Sequence, residues 1–194
     1  MKGVFLIGDS ARIGAAGSPG YGVYASELLS GVAEVYAPRS NCCFAQFTQR
    51  YLHEWAAGVP CEDVAVVHWN NGLWDTLRIR GDEPFTEIGF YGETLVRLHG
   101  RIRSIFPKAK IVFALTTYVR EELLRGDLGF YNSDTVRYNQ KAIEVLSPLG
   151  VEFNDLYSIS AGFAPEMYVD CVHFGEEGSR ILGEAVARCI RALL

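Results

Sequence analysis

A chain of 194 residues with 49% hydrophobic and 21% charged residues has the size and composition of one globular domain with a substantial core. Its formal net charge of −5 argues against nucleic acid as a partner, because a phosphate-binding surface needs a basic excess. No stretch approaches the ~18 apolar residues of a membrane span, and the apolar run after Met1-Lys2-Gly3 is too short for a signal peptide. The expectation is one cytoplasmic domain over residues 1–194, without membrane insertion.

The first strand is predicted at 4–7 and runs into Gly8-Asp9-Ser10. A short helix follows at 24–29, a second strand at 33–36 and a helix at 47–55. The third strand, 64–69, runs into Asn70-Asn71-Gly72. Residues 75–92 are polar, contain Gly81-Asp82 and Pro84, and read as a loop near the site. Leu95, Leu98, Ile102 and Ile105 repeat at helical spacing and stop before Pro107. A fourth strand is expected at 111–115, a second long loop with a helical turn at 117–134, a helix at 136–146 and a fifth strand at 151–153. Ile181, Leu182, Ala185, Val186, Cys189, Ile190 and Leu193 form the apolar stripe of a final helix, which reads as core packing. The strand runs are rich in Val, Ile and Phe and are continuous rather than alternating, which suits a parallel sheet covered on both faces. Strands alternating with helices give βαβ units and a doubly wound α/β sandwich.

In such a sheet, ligands sit beyond the carboxyl ends of the strands. The residues at those ends are a hydroxyl (Ser10), an amide (Asn70 or Asn71) and, before the last helix, a carboxylate–imidazole pair, Asp170-Cys171-Val172-His173. Acyl transfer uses this set. A serine hydroxyl needs an imidazole to take its proton during attack and return it to the leaving group. The imidazole needs a carboxylate to fix its tautomer and stabilise its charge. An Asp three residues before the His serves if the chain between them turns back on itself. The oxyanion of the tetrahedral intermediate needs preorganised donors, and a side-chain amide is one.

Gly8-Asp9-Ser10 near the start, the Asn-containing turn after the third strand and the block VDCVHFGEEGSRILG at 169–183 resemble the SGNH hydrolase superfamily, the GDSL-like esterases and lipases. The resemblance spans essentially the whole chain. It implies a three-layer αβα sandwich with a five-stranded parallel sheet of flavodoxin-like type. It implies Ser10 as nucleophile, His173 as general base and acid, Asp170 as its orienting partner, and the Ser10 N–H in the oxyanion hole. Two blocks depart from the family pattern. Its usual Gly after the second strand is replaced by Ser40-Asn41-Cys42-Cys43-Phe44, so Cys42, or its neighbour Cys43, is the expected second donor. Its Gly-x-Asn-Asp block reads His68-Trp69-Asn70-Asn71-Gly72-Leu73. Matching Gly72-Leu73 puts the oxyanion amide at Asn70, whereas matching by strand length shifts it to Asn71; Asn70 is the favoured assignment.

Other residues read more plainly. His68 is a hydrogen-bonded core histidine; His53 and His99 lie on helix surfaces. Trp69 packs in the core, Trp74 lines a pocket and Asp75 caps a turn. Asn154-Asp155 steers the loop towards Asp170. Arg120 and Arg125 pair at the surface with Glu121, Glu122 or Asp127. The five cysteines lack metal-type spacing and read as reduced thiols, so no metal site and no cofactor are expected. GSPGYG at 17–22 lacks the GxGxxG spacing of a phosphate cradle, which argues against a flavodoxin-like cofactor binder. The expected partner is a small-molecule ester: a small acyl, carbohydrate acetyl or lysophospholipid-type ester, cleaved through an acyl-serine. The alternative is a non-catalytic α/β domain that keeps the architecture and binds a ligand or partner.

Overall fold

The computed structural model describes residues 1–15 and 17–194. Its central sheet has five parallel strands: β1 (Lys2–Ile7), β2 (Ala33–Tyr36), β3 (Val64–Trp69), β4 (Lys110–Ala114) and β5 (Glu152–Asn154). They lie in the spatial order β2-β1-β3-β4-β5. Side chains alternate across the sheet with the strand period of two. Phe5, Ile7, Val67, Trp69, Ile111 and Phe113 face a core shared with α3 (Ala45–Trp55), α4 (Ile88–Ile105) and α5 (Asn132–Leu146). Val4, Leu6, Val66, Val112 and Ala114 face the opposite core, built with α2 (Tyr21–Leu29), α6 (Leu156–Ala161) and α7 (Glu176–Arg191). Both faces are covered, which is why the strands read as unbroken apolar runs. The result is the expected three-layer αβα sandwich with a five-stranded parallel sheet.

The strand order positions the site. From β1 the chain moves outward to β2, returns to β3 and then proceeds towards β5. The connections therefore diverge at the β1/β3 boundary, the switch point where α/β sheets open a crevice. The register pairs Ile7 with Trp69 and Trp69 with Phe113, so β1, β3 and β4 end at one level. Ser10 and Asn70 follow the first two of these ends.

Several elements depart from the sequence reading. Ser10 opens a short helix, α1 (Ser10–Ile13), and α6 follows β5; neither carries enough apolar period to be read locally. Helix α4 starts at Ile88, inside the expected loop, with the Glu87 side chain accepting from Phe90 N–H at 2.9 Å. Gly92 closes the expected loop span. It lies in the helix where a Cβ would come within 3.0 Å of the Lys141 side chain on α5, so it permits close helix approach. The two expected loops are not independent: Arg78–Ile79 pairs antiparallel with Leu128–Gly129, and Arg78 bonds the buried Asp134 carboxylate at 2.7 Å. Beneath them Leu73, Leu77, Val119, Phe130 and Val172 form a third apolar cluster. Among the described residues, no helix is long and apolar enough to cross a membrane.

Candidate active site

Strand β1 ends at Ile7, and Asp9 caps the next helix, its carboxylate accepting from Ala11 N–H at 2.9 Å. Ser10 is thereby the first residue of α1, where a helical amide has no carbonyl behind it to bond. Burial raises the Asp9 carboxyl above its usual range, opposed by the Ala11 N–H and by the neighbouring His173 ring and Arg12 guanidinium. Arg12, which the sequence reading passed over, is buried and donates to Gly8 O at 3.2 Å and Ser40 O at 2.9 Å. It ties the Gly8-Asp9-Ser10 turn to Ser40. An arginine two residues past a serine carries no local sign of such a role.

Asp170 and His173 lie between α6 and α7. The Tyr168–Phe174 bridge and the Val169 N–H to His173 O bond, 2.9 Å, fold this segment back on itself. Asp170 Oδ1 accepts from the Val172 and His173 amides at 2.9 and 2.8 Å. Its Oδ2 lies 2.7 Å from His173 Nδ1, and His173 Nε2 lies 2.8 Å from Ser10 Oγ. A carboxylate only accepts, so Nδ1 carries the proton and Nε2 is the acceptor facing the Ser10 hydroxyl. Burial works to raise the Asp170 carboxyl; the His173 ring and the two amides outweigh it and hold the carboxyl below its usual range. Ser10, Asp170 and His173 are thus together, across 163 positions of sequence between the serine and the histidine.

The two asparagines differ sharply. Asn70 Nδ2 donates to Ala114 O at 2.9 Å, which accounts for one of its two amide protons. Asn71 is fully buried and committed: Nδ2 donates to Cys43 O and to Thr48 Oγ1, both at 2.9 Å, while Oδ1 accepts from Trp69 Nε1 at 2.7 Å. The Cys42 N–H donates to Gly8 O at 3.2 Å. Cys43 holds φ = 47°, the left-handed conformation for which glycine is the usual choice, and its N–H donates to Asn41 Oδ1 at 2.8 Å.

The remaining candidates find structural partners. His68 is fully buried beside Asn154, Nε2 to Nδ2 at 3.2 Å, and burial lowers its pKa to about 4. Asn154 therefore serves His68 rather than the Asp170 loop, while Asp155 caps α6 through Ser158 N–H at 2.9 Å. Arg120 is more buried than expected. It reaches Glu122 at 3.4 Å, donates to Phe163 O and lies over the Tyr168 ring, and its own N–H donates to Cys171 O at 2.8 Å. Trp74 packs against the third apolar cluster. The cysteines carry free thiols. Among the described residues, no group of three or more His, Cys, Asp or Glu side chains is arranged to hold a metal ion.

The chain superposes on a lipase/acylhydrolase from Enterococcus faecalis with a TM-score of 0.76 at 17% identity, over 99% of this chain and 96% of that one. It superposes on a member of the lipolytic protein G-D-S-L family from Veillonella parvula with a TM-score of 0.73 at 16% identity, over 100% of both chains. The chain has the GDSL hydrolase fold. An acetyl xylan esterase, AlAXEase, shares this GDSL-type architecture, with a TM-score of 0.74 at 12% identity over 97% of this chain and 99% of that one. No protein-family model matches the sequence, and no curated protein matches it significantly. The GDSL hydrolase fold is carried here by backbone architecture at 12–17% identity.

Proposed function

We propose that the protein is a serine esterase that hydrolyses small carboxylic esters through an acyl-Ser10 intermediate. The observation that supports it most directly is His173, set between Ser10 Oγ at 2.8 Å and Asp170 at 2.7 Å. His173 Nε2 takes the hydroxyl proton as Ser10 Oγ attacks the ester carbonyl carbon. The imidazolium is held by Asp170. The carbonyl π electrons move onto oxygen, and the resulting oxyanion takes the Ser10 N–H and the second proton of Asn70 Nδ2. The Cys42 amide is spent on Gly8, so the donor expected from Cys42 or its neighbour passes to Cys43. The present acceptor of the Cys43 N–H, a side-chain oxygen of Asn41, can yield to an oxyanion. Collapse of the intermediate expels the alcohol, which takes the proton from His173. Water then repeats the cycle on the acyl group, activated by the same imidazole. The neighbours' names fit this reading: lipase/acylhydrolase and acetyl xylan esterase.

The test is covalent. A fluorophosphonate probe should label the wild-type protein, and p-nitrophenyl acetate should be hydrolysed. Both should vanish in Ser10→Ala, with a residual rate at least about a thousandfold below wild type. A wild-type protein that is neither labelled nor hydrolytic would favour the non-catalytic binding domain.

A further inference from the structure

Helix α3 begins without a cap of its own. Its N-cap is Phe44, which offers no side-chain hydrogen bond, so the first-turn amides need acceptors from elsewhere. Asp75 supplies one: both carboxylate oxygens accept from Ala45 N–H, at 3.2 and 3.1 Å, across 30 positions of sequence. The expected turn cap is therefore a distant helix cap. Asp75 is fully buried, and a buried carboxyl is costly unless well bonded. Burial pushes its pKa up to about 7, with the Ala45 N–H pulling it down and the Asp9 carboxylate adding to the rise. The hydroxyls of Tyr91 and Tyr138 feel its charge from α4 and α5.

The same segment grips the stretch that carries Cys43. Asn71 holds Cys43 O at 2.9 Å, and four residues later Asp75 holds the Ala45 amide. Between these anchors lie Phe44 and its two peptide units, the first of which carries the Cys43 carbonyl beside the left-handed Cys43 Cα, φ = 47°. The grip is itself braced. Thr76 N–H donates to Gly72 O and Thr86 N–H to Asp75 O, both at 3.0 Å, and Thr48 Oγ1 donates to Cys42 O at 2.9 Å. We propose that Asp75 is a positioning residue that, through the first amide of α3, fixes the Cys43 backbone so that its N–H is aimed at the oxyanion formed on Ser10. This rests on the reading of Ser10 as nucleophile. Donors fixed before the reaction need no reorganisation as charge develops, so loosening one costs turnover more than substrate binding.

The experiment compares wild type, Asp75→Ala and Asp75→Asn, with Asp75→Ser as the substitute should the alanine variant not fold. Two quantities are read: amide hydrogen exchange over residues 41–46, and kcat and KM for p-nitrophenyl acetate per phosphonate-titrated site. Asp75→Ala should speed exchange in that segment about tenfold or more, with exchange at 170–173 unchanged. Its kcat should fall about tenfold to a hundredfold with KM moved by less than about threefold. Asp75→Asn, whose amide oxygen still accepts from Ala45, should recover most of both. A merely structural role would lower the melting temperature and leave kcat per site within about threefold of wild type. That result, or unchanged exchange at 41–46, overturns the proposal. If the wild type proves inactive and unlabelled, the esterase reading falls, and with it the catalytic part of the proposal; exchange at 41–46 then decides whether the clamp itself stands.

Discussion

Replacing Asn70 or Asn71 by alanine should damage the protein in opposite ways. Asn71 is fully buried with three hydrogen bonds. Its removal leaves Trp69 Nε1 and Cys43 O without those partners, while Thr48 Oγ1 keeps its bond to Cys42 O. Two stranded groups at ~1–3 kcal/mol each give a stability loss of about 2–6 kcal/mol. For a chain of this size that lowers the melting temperature by about 5–20 °C. Asn70 has one internal bond, to Ala114 O. Its loss costs ~1 kcal/mol of stability. On the proposed esterase reading the same substitution removes an oxyanion donor, worth ~3–4 kcal/mol of barrier, or about a hundredfold to a thousandfold in kcat. Urea unfolding gives the first quantity, and kcat per phosphonate-titrated site gives the second. The opposite pattern would refute the assignment: Asn70→Ala turning over normally while folded Asn71→Ala loses a hundredfold.

Two further outcomes follow from buried groups. In Gly72→Ala the new methyl would sit 2.3 Å from Thr116 Oγ1 at a backbone φ of 151°, so stability should drop by about 2 kcal/mol or more; a wild-type urea midpoint would contradict this. The stability–pH curve should carry two opposed slopes. The His68 pKa is lowered to about 4 by burial, so its stabilising share, about 3 kcal/mol, is present above the unfolded value of 6.5 and lost as pH falls towards 4. The Asp75 pKa is raised to about 7, so its share, about 4 kcal/mol, is present below the unfolded value of 3.8 and lost as pH rises through 7. Urea midpoints between pH 5 and 7.5 should therefore climb in Asp75→Asn relative to wild type; parallel curves would show that the carboxyl does not titrate in this way.

The amino-acid sequence by itself determined the layers. Unbroken Val/Ile/Phe runs separated by helical stripes require a parallel sheet covered on both faces, because local period and apolar content report directly on how many sides of an element are dry. It also marked the chemistry at three strand or helix boundaries, since Gly8-Asp9-Ser10 and Asp170-x-x-His173 are contiguous in the chain. Only tertiary structure decided what those residues touch. Ser10 and His173 meet across 163 positions because the turn after β1 and the segment before α7 are brought together in three dimensions, which no window of sequence contains. Asn70 and Asn71 are chemically identical neighbours. They part only because the strand period turns one towards Ala114 and the other into the Trp69–Thr48–Cys43 pocket. Arg12 and Asp75 bond backbone groups contributed by distant segments, and side-chain type alone does not name such partners. The left-handed Cys43 has no local signal, because that conformation is imposed on a cysteine by bonds arriving from β3 and its following turn rather than chosen by the residue.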